Sequence, residues 1–418
     1  MYIKELSKEE FDRFTNIYPI KSIYQTSQYG SLMRNQGYND IYIGLMDDNK
    51  MLAASLILVK KESKFKYGYA PRGFLINYDD TNLLSEFTKL LKQYLSKLGI
   101  MGLKINPIIL KNIYDFDNQK SIANPYYEKI FNDLKLNEYH HLGYNNFFEA
   151  LKPRFEAIID LKKPLDVLFK NIKKEYRTKI RSAIKNGVKV YKGNVYTLDT
   201  LYEFTKHKYI RDLDYLKDCF RFFCENDMID IYCTKLDTKQ YLQVTQQILT
   251  NYENISNSLN KKILSSNINN QKIINKKISN DKLIEIYKNK LIEATNILRT
   301  TPDEITTSAA IIIKQGKEAT ILIDGHDKKY SKLNSKHLLI WQLIEIYKKQ
   351  GFEKINLGGM SNFVMDSKRY TGLNQFKLNF GSKMYEYAGD FEIIINKMNY
   401  NLYRNYVPLK NLIKEKLK

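Results

Sequence analysis

At 418 residues with 43% hydrophobic side chains, the chain is too long for one ordinary domain and too apolar for wholesale disorder. A formal net charge of +21 points to phosphate-bearing partners (nucleic acid, anionic lipid or a phosphorylated substrate), unless it only reflects a lysine- and asparagine-rich bias. No window approaches 18 apolar residues and the first ten residues hold no apolar signal core, so a cytoplasmic protein is expected, one that meets a membrane only from the side. The cysteines, Cys219, Cys224 and Cys233, form no CxxC. This sparse set fits a reducing compartment, and no metal site is expected.

Leu6-Ser7-Lys8-Glu9-Glu10-Phe11 opens like a capped helix. Tyr24 to Arg34 reads as a loop entering a short helix that Gly37 ends. Ile41 to Met46 and Leu52 to Lys60 form a hairpin, Phe65 to Ala70 a short strand, residues 80–98 a helix, and Met101 to Ile105 a strand stopped by Asn106-Pro107. A similar order returns about 260 residues later. Ala309 to Lys314 and Ala319 to Ile323 are hairpin partners joined by the turn Gln315-Gly316-Lys317-Glu318. Asn334 to Gln350 is a helix with Leu338, Trp341, Leu343, Ile344 and Tyr347 inward, and Ile355 to Leu357 a strand closing on Gly358-Gly359. Hairpin, helix, strand occurring twice implies two related α/β halves with a cleft between them.

Two insertions separate the halves. Residues 162–192 carry eleven Lys or Arg against Asp166 and Glu175, mostly on a helix ending at Asn186-Gly187. Lys170, Lys173, Lys174, Arg177 and Arg181 fall at helical spacing and share one face, which favours phosphate contact over a merely solvated surface. From 238 to 298, Tyr241, Val244, Ile248, Tyr252, Ile255, Leu259 and Ile263 recur at three- and four-residue steps. The polar stretch Asn267 to Asn270 interrupts, and Ile274, Ile278, Ile284, Tyr287, Leu291, Ala294 and Leu298 resume. This reads as an antiparallel coiled-coil hairpin of two helices, with a gap in its seam near Asp281.

After Gly358-Gly359 and a polar loop comes Gly372-Leu-Asn-Gln-Phe376-Lys377-Leu-Asn-Phe380-Gly381, then a strand near Tyr385 and another from Phe391. Glycines at a strand end let backbone approach a ligand. Lys377 is either a positioned cation in a sheltered site or a solvated side chain beside two core rings.

These parts together resemble the Fem family of peptidoglycan bridge-forming aminoacyltransferases (FemA-, FemB-, FemX- and MurM-like) over nearly the whole chain. The likeness lies in Tyr24-Gln-Thr-Ser-Gln-Tyr-Gly30, Tyr69-Ala-Pro-Arg-Gly73, Ile184-Lys-Asn-Gly-Val188, the helical arm, Asn356-Leu-Gly-Gly-Met360 and Phe376-Lys-Leu-Asn-Phe-Gly381. The resemblance implies an α/β (α+β) fold of two GNAT-like acyltransferase subdomains with an inserted coiled-coil arm. The expected division is 1–160 for the first subdomain, 161–237 for the basic helix and the start of the second, and 238–298 for the arm. Residues 299–400 complete the second subdomain, and 401–418 form a C-terminal helix packing back on the first.

The same resemblance implies transfer of an amino acid (Gly, Ala or Ser) from aminoacyl-tRNA to the stem-peptide side-chain amine of lipid II or a UDP-linked precursor. It implies no metal or nucleotide cofactor, and partnership with sister Fem-type transferases at the inner membrane face. Lys377 matches the lysine of the family's Phe-Lys pair at the reacting ester. Arg34 and Arg211 match residues holding the precursor's phosphates. Tyr69, Arg72, Gly358, Gly359 and Phe376 fall in substrate-binding stretches, and Lys170, Lys173, Lys174, Arg177 and Arg181 are assigned to tRNA. Many members carry Asp before the proline at 107. Asn106 cannot take a proton, so it is left to orient the amine. Ile323-Asp324-Gly325-His326 departs from a tyrosine- and glycine-rich strand end, and His326 reads as a turn residue. The competing readings are a non-catalytic RNA- or membrane-associated protein on this scaffold, and a coenzyme-A-dependent acetyltransferase. The retained Phe-Lys segment speaks against the first. Against the second stands the lack of a glycine-rich pyrophosphate loop after a strand.

Overall fold

The computed structural model describes residues 1–416 except 117, 150, 208–210, 266–270 and 363–370, with side chains described to 406. The turn expected at 267–270 and most of the polar loop before Gly372 fall outside the described residues. The chain opens with β1 (Tyr2–Glu5), α1 (Lys8–Ile17), α2 (Ser27–Asn35), β2 (Asn39–Asp47), β3 (Lys50–Glu62), β4 (Phe65–Ala70), α3 (Thr81–Lys97) and β5 (Ile100–Ile105). Helix α1 starts at a full capping box. Glu10 N–H donates to the Ser7 hydroxyl at 3.2 Å, and Ser7 N–H to the Glu10 carboxylate at 2.9 Å. Along α3, Leu84, Phe87, Leu91 and Leu95 are buried at three- and four-residue steps.

Next come β6 (Leu110–Asp115), β7 (Lys120–Ala123), α4 (Tyr127–Leu136), β8 (His140–His141) and β9 (Phe155–Asp160), then α5 (Leu165–Asn171), α6 (Lys174–Lys185), β10 (Val188–Lys192), α7 (Thr197–Thr205), α8 (Leu213–Cys224) and β11 (Ile229–Asp237). The basic segment is thus two helices. Ile172 and Lys173 are both extended at the break, so Lys170 and Lys173 do not lie on the same helix as Lys174, Arg177 and Arg181. Ile172, at the break, is buried in the core. Gly187 ends α6 at φ +83, a conformation that glycine adopts without strain.

The arm is α9 (Thr238–Ser265) and α10 (Gln271–Thr300), inserted between two neighbouring strands. Its seam is narrower and more polar than the apolar pattern implied. Tyr241, Thr245, Leu249, Ser256 and Leu259 are buried, whereas Val244, Ile248 and Ile255 are only half-buried and Ile278 is exposed. A two-helix hairpin has a single partner for each helix, so only one stripe can be covered. The gap near Asp281 is filled by polar contacts: the Ser256 hydroxyl donates to Asp281 at 2.7 Å, and the Asn280 amide to the Tyr252 carbonyl at 2.8 Å.

The remaining elements are β12 (Glu304–Gln315), β13 (Glu318–His326), a 3₁₀ segment (Lys328–Leu333), α11 (Ser335–Lys349), β14 (Lys354–Met360), α12 (Thr371–Leu378), β15 (Lys383–Tyr387), β16 (Phe391–Ile394) and α13 (Lys397–Lys416). The expected inward set on α11 is buried in full. The Phe376-Lys377 pair sits on α12.

Among the described residues two sheets form, in the orders β1-β2-β3-β4-β5-β16-β8 and β10-β11-β12-β13-β14-β9-β15-β6-β7. The repeat is clear in strand direction. β2, β3 and β4 pair antiparallel and β4–β5 parallel around α3. β11, β12 and β13 pair antiparallel and β13–β14 parallel around α11. These are two GNAT-like halves. Each half is completed by a strand from elsewhere, β16 beside β5 and β9 beside β14. Sheet membership therefore crosses the divisions drawn at 160 and 299: β6, β7 and β9 belong to the second sheet, and β16 to the first. The C-terminal helix packs on the first half, where Tyr403 and Tyr406 meet Phe65.

The halves also share a core. Leu6, Phe11, Leu32 and Leu56 cluster with Leu198, Leu201, Cys219, Phe223, Ile311 and Ile313. Each fully buried side chain of this kind contributes roughly 1.5–3 kcal/mol, so the swapped strands and common core make one body of the halves.

Candidate active site

A cleft of about 1210 Å³ opens between the halves, lined by Tyr24, Arg72, Lys152 and Arg211 on one side and by β13, β14 and α12 on the other. One of its walls holds a splayed strand pair. β13 and β14 pair only from Glu318↔Lys354 to Thr320↔Asn356 and then separate, although both strands continue. The equivalent pair in the first half, β4–β5, stays paired from Lys66 to Ala70. The gap thus belongs to the second half alone.

Lys377 stands at this gap. Its ammonium donates to the Gly359 carbonyl at 2.6 Å, and the residue is 9% exposed. Burial pushes its pKa down to about 8; repulsion from Lys336 adds to this, while Asp324 and Glu156 oppose it. The reading of Lys377 as a solvated side chain is thereby overturned. The folded state sheds this proton before the unfolded chain does. The group therefore costs stability below pH 8, and that cost is relieved as pH rises from about 8 toward the ordinary lysine value. Helix α12 is fixed to the end of β14 by Asn374, whose amide donates to the Ser361 hydroxyl at 2.8 Å and whose oxygen accepts from Ser361 N–H at 3.2 Å. Phe376 anchors the same helix against Tyr176 and His337, with Lys336 over its ring at 4.6 Å. Lys336 in turn pairs with Asp324.

Gly358 has φ +84, and a β-carbon there would lie 3.5 Å from the Lys377 nitrogen. Gly358→Ala is expected to cost about 1 kcal/mol or more of stability through its left-handed backbone rather than through crowding, checked by a denaturant midpoint.

The floor beside Lys377 is acidic. Glu156, on β9, accepts from Arg72 Nη2 at 2.6 Å, from the Asn356 amide at 2.8 Å and from the Tyr387 hydroxyl at 3.4 Å. The same Asn356 amide donates to Glu318 at 3.1 Å, while its oxygen accepts from Gly358 N–H at 2.8 Å. Burial and then Glu156 push the Glu318 carboxyl up. Arg72 also donates to the Pro153 carbonyl and stacks over Tyr387 at 4.7 Å.

The sequence-derived candidates divide. Lys377, Phe376, Arg72, Gly358, Gly359 and Arg211 all line the cleft. Tyr69 and Asn106 do not. Asn106 is buried behind the wall, where its oxygen accepts from Arg72 N–H at 2.8 Å and from the Tyr69 hydroxyl at 3.2 Å. Its amide holds the turn at Arg72, whose φ is +54, rather than a substrate amine. Arg34 is also outside the cleft. It is 58% exposed and bound to Asp40 at 2.6 Å, because Asp40 lies at the start of β2 within reach of the last turn of α2. Of the basic helices, Lys170, Lys173, Lys174 and Arg181 are exposed and Arg177 is half-buried, donating to the Lys170 carbonyl at 3.2 Å. They adjoin the site directly: Tyr176 packs on Phe376 and Phe380, and Lys173 N–H donates to the Asn379 carbonyl at 2.9 Å.

Residues that sequence reasoning passed over are Glu156, Glu318, Asn356 and Lys152. The one available signal was Glu156, a charge inside the otherwise apolar strand Phe-Glu-Ala-Ile-Ile. Glu318 read as a turn residue.

Two GNAT-like halves, one with a splayed strand pair and a sheltered ammonium at the gap, define an acyltransferase. The chain matches the FemAB family over residues 6–406 and belongs to that family. Aminoacyltransferase FemB of Staphylococcus epidermidis is 27% identical over 427 aligned residues, covering 99% of this chain and 100% of that protein. Aminoacyltransferase FemA of the same species is 26% identical, covering 98% and 100%. The crystal structure of FemX superposes with a TM-score of 0.75 at 20% identity over 96% of this chain and 99% of that one. The chain is thus an aminoacyltransferase. Among the described residues no helix is long and apolar enough to cross a membrane.

Proposed function

We propose that the protein moves glycine, alanine or serine from aminoacyl-tRNA to the stem-peptide side-chain amine of lipid II, to build a peptidoglycan bridge. The observation that carries this reading is the Lys377 ammonium at the splayed gap, where an acyl group can enter between β13 and β14. The exposed cations of α5 and α6, packed through Tyr176 onto α12, suit a tRNA delivered to that gap, and the arm offers a further support for it. We assign the work to the inner face of the plasma membrane, where a lipid-linked acceptor lies, alongside sister Fem-type transferases.

The chemistry is ester aminolysis. A neutral amine attacks the ester carbonyl, negative charge gathers on the carbonyl oxygen, the bond to the ribose oxygen breaks, and the amine's proton ends on that oxygen through substrate or water. Lys377 stabilises the developing charge. The floor of Glu156, Asn356 and Glu318 suits the amines of the substrates. Arg211 is left to meet the acceptor's phosphates without Arg34.

The pH dependence tests the assignment. With Lys377 as the required cation, kcat/KM for charged tRNA falls as pH rises through about 8, and Lys377→Arg removes that falling limb, since arginine keeps its proton. A rate that instead rises through pH 8 in the natural protein, and loses that rise in the arginine variant, makes Lys377 a proton acceptor and contradicts the assignment.

A further inference from the structure

A primary alkyl amine has an ordinary pKa of about 10.4, so at neutral pH the acceptor is an ammonium and must shed a proton before it attacks. The cleft holds a second buried amine suited to receive it. Lys152, in the segment leading into β9, is 7% exposed and lines the cleft. Its nitrogen donates to the Tyr29 hydroxyl at 3.3 Å and lies 3.3 Å from the centre of the Tyr24 ring. Tyr24 and Tyr29 stack edge to face at 5.1 Å, which fixes the cage. Among the described residues no carboxylate pairs with Lys152. The nearby one, Glu156, is committed to Arg72 at 2.6 Å.

The groups that face Lys152 keep its amine neutral. Tyr24 and Tyr29 pack on it from the entry to α2, and burial pushes both hydroxyls up, so neither supplies a negative charge. Arg72, after β4, and Arg211, just before α8, stay protonated and repel a third cation. Glu156, on β9, alone pulls the other way. Aromatic faces offset only part of the cost of burying a cation. Burial first, then the fields of Arg211 and Arg72, thus hold the Lys152 amine well below its ordinary range.

Lys152 also stands beside the reacting centre. Its neighbour Pro153 lies so close to Gly359 that a β-carbon on that glycine would come within 2.7 Å of the Pro153 Cβ. The Gly359 carbonyl holds the Lys377 ammonium, and Arg72 joins the Pro153 carbonyl to Glu156 at 2.8 and 2.6 Å. Glu156 acts on Lys152 and Lys377 alike. An acceptor over this floor meets a charged amine on one side and an uncharged one on the other.

We infer that Lys152 is the general base of the transfer, taking one proton from the acceptor's ammonium so that the freed amine attacks the ester. An N–H bond of the acceptor breaks as an N–H bond forms on Lys152. The amine's second proton ends on the ribose oxygen, and Lys152 returns its own to water through the open cleft. The field that depresses Lys152 also acts on an ammonium docked beside it, so the proton moves between two matched amines. This role rests on the reading of the cleft as a site of ester aminolysis.

The test compares the full-length protein with Lys152→Met and Lys152→Arg, using charged tRNA and lipid II between about pH 6.5 and 8. At pH 7 both variants are expected to lose about 10²-fold or more in kcat/KM for lipid II, the usual contribution of a positioned base. Arginine keeps the charge but takes no proton, so it should not restore the rate. The deficit should shrink about tenfold per pH unit, because the variants depend on acceptor that has already lost its proton. A structural or charge-binding role produces no such convergence. The Met variant is expected to unfold at or above the natural midpoint, since a buried amine without a carboxylate has gone, and where the cage will not hold arginine its pH series decides alone. An arginine variant at the natural rate, or a deficit that stays constant with pH, overturns the base. The two readings fail differently. Natural rates in both variants remove the base and keep the proposed function, whereas no transfer to lipid II by the natural protein removes both.

Discussion

Replacing Lys377 with alanine is expected to lower the transfer rate by about 10²–10³-fold, the usual loss when one preorganised donor to a developing oxyanion is removed. The side chain is buried, its ammonium is held on the Gly359 carbonyl, and α12 is pinned by Asn374, so the charge waits in place before substrate arrives. The loss should fall on kcat more than on KM, because the interaction strengthens as the carbonyl becomes an oxyanion. Lys377→Met controls for packing. It retains an unbranched buried stem without the charge, and its unfolding midpoint should match or exceed the natural one, since burial already penalises the cation. Steady-state rates with charged tRNA and lipid II decide the matter. Loss of activity only in proportion to loss of folded protein would count against a catalytic role.

The second large effect is on stability. Arg72→Met is expected to destabilise the protein by about 3–5 kcal/mol, because it strands Glu156 as a buried carboxylate. Arg72 and Glu156 are 5% and 13% exposed, so water screens the pair weakly. They also belong to different sheets: Arg72 follows β4, and Glu156 lies on β9 beside β14. The pair therefore ties the first half to the cleft floor. The double variant Arg72→Met/Glu156→Leu should recover much of the loss, since the uncompensated charge leaves with its partner. Chemical denaturation of the three variants measures this. A single Arg72→Met variant as stable as the natural protein contradicts the account of the pair.

The fold was legible where local pattern and tertiary role agree. The helices at Thr81–Lys97 and Ser335–Lys349 and the hairpin of α9 and α10 follow from spacing alone, and the twofold repeat follows from their order. The exchange of β9 and β16 between halves was not legible. Strand pairing at long separation leaves no local mark, and each of these strands reads the same in either sheet. The basic segment misled for a related reason: its charge period continues through Ile172, where the backbone turns extended and the side chain enters the core.

The site followed the same division. Lys377 and the glycine pair stand out because a cation and special backbone sit at a strand end. Glu318 and Lys152 acquire meaning only when Asn356 joins the first to Glu156 and a tyrosine cage encloses the second. Arg34 and Asn106 occupy promising positions in the chain, yet Asp40 holds the first outside and the Arg72 backbone occupies the second.

The most direct measurement is mass spectrometry of lipid II after incubation with the purified protein and tRNA charged in turn with glycine, alanine or serine. The expected product carries one of these residues on the third-position side-chain amine, forms only with charged tRNA, and forms about 10²–10³-fold more slowly once Lys377 is replaced by alanine. Unmodified lipid II with all three donors, or the same product after the charged tRNA has been digested by ribonuclease and its amino acid freed, would contradict the account.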